Sequence, residues 1–487
     1  MKYSSYWLLS AALLCGLSAS AQHDSPKIPK KKFIDASNMD LNYKPGNDFN
    51  LYASGTWIKN NPVPAKETRW GSFNVLRDFN INAVKNILLE AENDKTAKPG
   101  SVKRRIGDFY AAGMDSIGIE KLGASPILPE LAKVASATSL EDIISEAAIM
   151  RTQGLGSPLF SFYVGQDRKE ATKLIAQLGQ GGTTLPDRDY YLKADARTLK
   201  IQDAYKKYIT QLFVLSGIMD ELAKKNAETI FAIEKALATA QMSRVEMRDP
   251  YKTYNKFSVA DFSKTTPNMN WATLLPKMKV SGQDTMLVGA PKFFTELNAL
   301  LVATPVADWK TYLQWNVLKT SAPYLSSAFV DANFAFTQVL SGQKVQTPRW
   351  QRMSQLTDGT LGELLGQLYV EKHFKPEAKV RMEQMVANLI KAYEIRIKNL
   401  DWMSAETKVK ALDKLHAFTP KIAYPDKFKN YDGLTVTKTN FLQNLRSAAV
   451  WGYADMVSQL GKPVDKTRWG MSTTTVNAYY SPVLNEI

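Results

Sequence analysis

Ile201–Ala240 reads IQDAYKKYITQLFVLSGIMDELAKKNAETIFAIEKALATA. Ile201, Tyr205, Ile209, Leu212 and Phe213 recur at helical spacing, so they share one face of a helix. Leu222, Ile230, Ile233 and Leu237 do the same in the helix that follows. The pattern recurs on both sides of this pair. Ser139-Leu140-Glu141-Asp142 reads as an N-cap with an acid at the third helical position, ahead of Ile143, Ile144, Ala147 and Ala148. Met382, Met385, Val386, Leu389, Tyr393 and Leu400 mark a long helix after Pro376, and further helices are expected over 401–415 and 441–460. The Met and aromatic stripes of these helices are expected to be core faces rather than cofactor sites. Strand signals are few: Leu159–Val164 (LFSFYV), and Thr475–Ser481 (TVNAYYS) with Pro482 behind it. There is no fixed-period repeat and no low-complexity tract. The expected fold class is mainly α with short β segments.

With 487 residues, the chain is long enough for more than one domain. Its 45% hydrophobic and 22% charged residues are ordinary globular values. The net charge of +15 is spread along the chain and interleaved with 47 acids, apart from Lys27, Lys30, Lys31 and Lys32. That describes a solvated basic surface. No zinc-finger, RNP or helix-turn-helix pattern supports a nucleic-acid partner. Lys2, the apolar run Trp7–Leu17 and Ala19-Ser20-Ala21 before Gln22 make an export signal, placing the mature protein in the periplasm or outside the cell. Cys15 is not expected to carry a lipid, because Leu14 stands where a lipoprotein peptidase wants a small residue. It is also the only cysteine, so the mature chain uses no disulfide and no thiolate chemistry. No stretch reaches transmembrane length, and nothing in the sequence sets an oligomeric state.

Chemistry is hard to find by motif. The three histidines are His23, His373 and His416, and none belongs to an H-E-x-x-H helix. His373 and His416 read as surface or cap-region residues. Gly179-Gln180-Gly181-Gly182 lacks the lysine of a phosphate cradle, and there is no G-x-S-x-G elbow. What remains is a series of stretches dense in turn residues, aromatics and charges. They are PGNDF (Pro45–Phe49), PVPA (Pro62–Ala65) leading into TRWG, RRIGDFYAAGMDS (Arg104–Ser116), LPDRDYYL (Leu185–Leu192), RDPYKTYNK (Arg248–Lys256) and PVDKTRWGMSTTTVNAYYSPVLNEI (Pro463–Ile487).

In this order and spacing, from Pro45 to Ile487, these stretches resemble the N-terminal two-thirds of the neprilysin family. Those zinc metalloendopeptidases include the endothelin-converting enzymes and the bacterial PepO-type oligopeptidases. Residues 1–21 read as the signal peptide and 22–45, polar and rich in Lys, Pro and Asn, as a linker; the resemblance implies that 46–79 form a segment packing on the catalytic domain. Residues 80–425 would form a helical lid domain over a chamber that admits oligopeptides. Residues 426–487 would start a thermolysin-like α+β catalytic domain. Asn477 and Ala478 match the pair that hydrogen-bonds to the substrate main chain from an edge strand, a task suited to backbone groups and a short amide. Arg69 matches an arginine that meets a peptide's terminal carboxylate. Asn74 departs from the Asp of some relatives, which weakens the case for an arranged Arg–Asp pair. Trp57, Trp70, Tyr190 and Tyr191 are expected to be packing residues. Zinc in the family is held by H-E-x-x-H and a downstream carboxylate, with the motif Glu as general base. The sequence ends before any such motif, so the expectation is an incomplete peptidase that holds no zinc and is inactive alone. The alternative is a naturally short, non-catalytic paralogue that binds peptides or a protein.

Overall fold

The computed structural model describes residue 32 and residues 34–487. The export signal, Cys15, His23, Lys27, Lys30 and Lys31 lie outside the described residues. The chain divides into two units, Met1–Asn60 and Asn61–Ile487.

In the first unit, Asp35 caps the short 3-10 helix Ala36–Asn38, its carboxylate accepting from the Ser37 N–H. The helix Phe49–Asn60 packs so closely on this turn that a Cβ at Gly55 would lie 2.7 Å from Asp40 Cβ.

The second unit is helical around a small mixed sheet. Strands β1 (Phe160–Gln166), β2 (Leu174–Gln180), β3 (Lys256–Ser258) and β4 (Thr285–Val288) lie in the order β1-β2-β4-β3. β1 pairs antiparallel with β2, β2 parallel with β4, and β4 antiparallel with β3. The strand expected over 159–164 is β1. The helices Ala196–Leu215 and Asp220–Ala240 account for the opening stretch. Ile201, Tyr205, Ile209, Leu212, Ile230, Ile233 and Leu237 are all buried, in a core that also holds Trp271, Trp309 and Trp315. Leu222 is exposed instead: at about 100° per residue it sits roughly 80° round the helix from Ile230, while Ala223 and Ala227 take the inward positions. A second core, of Val84, Ile87, Leu88, Ile106, Phe109, Leu361, Leu364 and Phe441, joins the helices Ser72–Asn93, Val102–Met114 and Arg349–His373. That second core carries the candidate site.

Ser139 and Asp142 form a full capping box on the helix Leu140–Thr152. Hydrogen bonds from the Thr138 N–H first, and then from Ser139, hold the Asp142 carboxyl down to about 2. A carboxyl lowered in the folded state stabilises it above the unfolded value and loses that contribution as pH falls towards 2. Ser139→Ala is expected to cost about 1 kcal/mol in urea unfolding at pH 7, and less at pH 2.

Two expectations are corrected. The helix Pro376–Lys398 buries no residue: Met382, Met385, Leu389 and Tyr393 are exposed, and so is every residue type that defined the stripe except the half-buried Val386 and Leu400. It runs beside the helix Ala405–His416, which buries none either, so periodicity located an apolar face that the described residues do not cover. Residues 475–480 are not a strand, because no ladder partner lies beside them; only isolated bridges link Ser481 and Thr419 to Glu486.

Candidate functional site

The helix Ser72–Asn93 starts from Gly71 directly after the Thr68-Arg69-Trp70 segment. Phe73, Arg77, Asn80, Ile81 and Val84 follow at three- and four-residue steps, so the helix presents them as one wall. The helix Arg349–His373 supplies a second wall with Gln355 and Asp358. The segment Thr474–Asn477 is the third. Together with Arg69 they enclose a cavity of about 510 Å³.

The third wall is held by the other two. The Asp358 carboxylate accepts hydrogen bonds from the Thr474 hydroxyl and, at 3.2 Å, from the Ser472 hydroxyl. Burial pushes the Asp358 carboxyl up, against the two hydroxyls, which favour its charged form. Asn80 Nδ2 donates to the Thr474 carbonyl. The helix Arg349–His373 leaves its regular path at Leu361 (φ −122°, ψ 32°), and the next residue is Gly362. A Cβ there would lie 2.7 Å from Ser472 Cβ, so a side chain at Gly362 would push the segment away.

The chain beyond the cavity is pinned as well. Lys421 and Glu486 form a 2.6 Å ion pair with side-chain exposures of 4% and 2%. The Tyr479 hydroxyl donates to Glu486 Oε1 at 3.0 Å, and Lys421 also donates to the Arg468 carbonyl. Asn477 and Ala478 are thus an exposed stretch between two anchored ends.

The structure brings Arg69 and Asn477 to one cavity, although 408 positions of sequence separate them. Ala478 does not line it; its N–H is bonded to the Asn477 side-chain oxygen at 2.8 Å. Arg69 is exposed and, among the described residues, has no ion-pair partner. Asn74 does not pair with it. Its amide donates to Glu67 at 3.3 Å, and Glu67 also accepts from Arg77 at 3.2 Å. The lining thus holds Arg69, Arg77 and Asp358, and Arg77 is paired with Glu67, so Arg69 is the guanidinium left to meet an anionic or acid-terminated ligand.

Arg77, Asn80 and Asp358 were not singled out from the sequence. The helical step from Phe73 points to the first two, whereas Asp358 is one acid among 47 with no local signal. Tyr191 and Trp70 are buried and half-buried, as expected of packing residues. His373 and His416 each end a helix, and burial, with Lys372 beside it, disfavours the charged form of His373. Among the described residues no three His, Cys, Asp or Glu side chains are grouped to hold a metal ion. No helix among them is long and apolar enough to cross a membrane.

Residues 45–425 match the family model described as Peptidase family M13. An endothelin-converting enzyme homolog of Locusta migratoria is 30% identical over 93% of this chain and 65% of its own length. Neprilysin-3 of Drosophila melanogaster is 28% identical over 92% and 60%. The chain therefore spans less than two-thirds of these relatives. Among solved structures, the Mycobacterium tuberculosis zinc metalloprotease Zmp1 bound to an inhibitor superposes with a TM-score of 0.87 at 31% identity, over 93% of this chain and 68% of that one. PepO from Lactobacillus rhamnosis shares the fold, with a TM-score of 0.81 at 21% identity over 91% and 70%.

Proposed function

The chain belongs to peptidase family M13, and we propose that it forms the substrate-binding part of a zinc metallopeptidase that cleaves oligopeptides. The observation that carries this reading is the cavity shared by Arg69 and Asn477. An extended peptide would lie along 474–478, bonded through its main chain to the Asn477 amide and to backbone groups that no ladder engages. Arg69 would receive the terminal carboxylate, since a guanidinium fork matches a carboxylate in two hydrogen bonds. Residues 80–425 would act as the lid, with 46–79 and 426–487 as framework of the catalytic domain. Zinc, when bound, would polarise the scissile carbonyl and activate a water. Its ligands and the general base would come from polypeptide corresponding to the part of the relatives that this chain does not span. This chain's own residues bind and orient. By itself the chain is expected to bind peptides without cutting them, and zinc-dependent hydrolysis by the purified 487-residue chain would overturn that part. Export through the N-terminal signal belongs to the same proposal.

The binding test compares a labelled heptapeptide as free acid and as amide, by fluorescence anisotropy. The acid is expected to bind about tenfold more tightly, and Arg69→Ala to abolish the preference by weakening the acid alone. Equal affinities in the wild type would refute the role of Arg69.

A further inference from the structure

We propose that Asp358 is a positioning residue: it fixes the segment Ser472–Thr474 on the helix Arg349–His373, and through it sets the register of Asn477 against the bound peptide. The inference rests on the substrate-binding reading given above, and it assigns a role that neither the motifs nor the family match supply.

The segment has few other ways to be held. From Met471 to Tyr480 no ladder fixes the backbone. Its internal bonds are short-range: Thr475 N–H to the Ser472 carbonyl, Asn477 N–H to the Thr475 carbonyl, and the Ser472 hydroxyl with those of Thr474 at 2.9 Å and Thr475 at 3.0 Å. Bonds of this kind shape the segment without setting its height on the cavity wall. Three contacts with the helices do that. One carboxylate receives both the Ser472 and Thr474 hydroxyls, Asn80 holds the Thr474 carbonyl from the opposite helix, and Gly362 leaves room for Ser472. Two hydroxyls two residues apart on one carboxylate define both position and rotation of the turn 472–475, as a single bond would not. Thr474 is buried while Thr475 is exposed, so the clamp also decides which side of the segment faces the peptide. A shift of this turn would carry Asn477, two residues beyond Thr475, with it and change its placement at the cavity.

The geometry also predicts how the role differs from that of Arg69. Asp358 acts on the main-chain half of the site, so its loss weakens acid and amide peptides alike and leaves their ratio intact. Collapse of the cavity would erase the ratio.

The experiment uses the 487-residue chain with the two heptapeptides and two routes to the same loss. Asp358→Ala removes the acceptor, and Ser472→Ala combined with Thr474→Val removes the donors while keeping the threonine's shape. Both are expected to lower affinity about tenfold for acid and amide, and to speed amide exchange over 472–478. Asp358→Asn keeps one acceptor oxygen and is expected to restore most of the affinity. Unchanged affinity and unchanged exchange in the acceptor and the donor variants would overturn the proposal. Asn477→Ala separates the two levels. If it weakens binding while Asp358→Ala does not, the site stands and the clamp falls; if wild type binds neither peptide, the site reading itself falls.

Discussion

Glu234→Ala is expected to destabilise the large unit by about 4 kcal/mol, the largest single effect anticipated in the chain. Glu234 is fully buried and accepts hydrogen bonds from Tyr191 at 2.6 Å, Tyr205 at 2.8 Å and the Thr184 hydroxyl at 2.7 Å. Removing it strands three hydroxyls in the core, each left with an unmet hydrogen-bonding demand. It also withdraws charge from Lys319, which donates to Thr184 at 2.8 Å. Burial holds the Lys319 ammonium below the usual lysine range, and the charge of Glu234 opposes that shift. A lysine lowered in the folded state takes up a proton on unfolding, so stability rises with pH between its folded and unfolded values. Without Glu234 that interval widens. The deficit of the variant is therefore expected to shrink as pH is raised through it, in urea titrations at stepped pH. Glu234→Gln keeps volume and an acceptor, and about half the loss is expected. A deficit under 1 kcal/mol for the alanine variant would refute this account of the core.

Lys421→Ala is expected to be almost as costly locally, about 3 kcal/mol, because it leaves the Glu486 carboxylate buried with only the Tyr479 hydroxyl beside it. The loss should appear as faster exchange at Thr419, Lys421 and Ile487, whose N–H groups bond across the same contact. It should also reach Tyr479 and so Asn477, two residues before it. The double variant Lys421→Met with Glu486→Leu is expected to recover most of the loss, since replacing both charges removes the uncompensated one. Additive losses in the double variant would mean that the pair is not coupled.

How far the sequence could be read depended on how local the cause was. The paired helices 196–240 and the Ser139 cap were legible because periodicity and capping act within a few residues. Leu222 was misplaced because a broad apolar stripe does not say which edge turns to solvent. The stripe on Pro376–Lys398 was legible as apolar, but its exposure was not, because what covers a helix is decided outside it. Residues 475–480 have strand composition, yet a strand is defined by a partner, which periodicity does not supply. Within the site, Arg69 and Asn477 came from the family resemblance. Asp358 came only from the fold, which brings it to Ser472 across more than a hundred positions.

The central claim, that an extended peptide occupies the cavity between Arg69 and Asn477, is tested most directly by photo-crosslinking. A heptapeptide acid carrying one benzophenone residue is irradiated with the 487-residue chain, and the adducts are mapped by mass spectrometry. Adducts on Phe73, Arg77 and Val476, competed by the unlabelled acid, are the expected result. Adducts confined to the apolar groove of about 460 Å³ lined by Leu389, Tyr393 and Phe418 would contradict it.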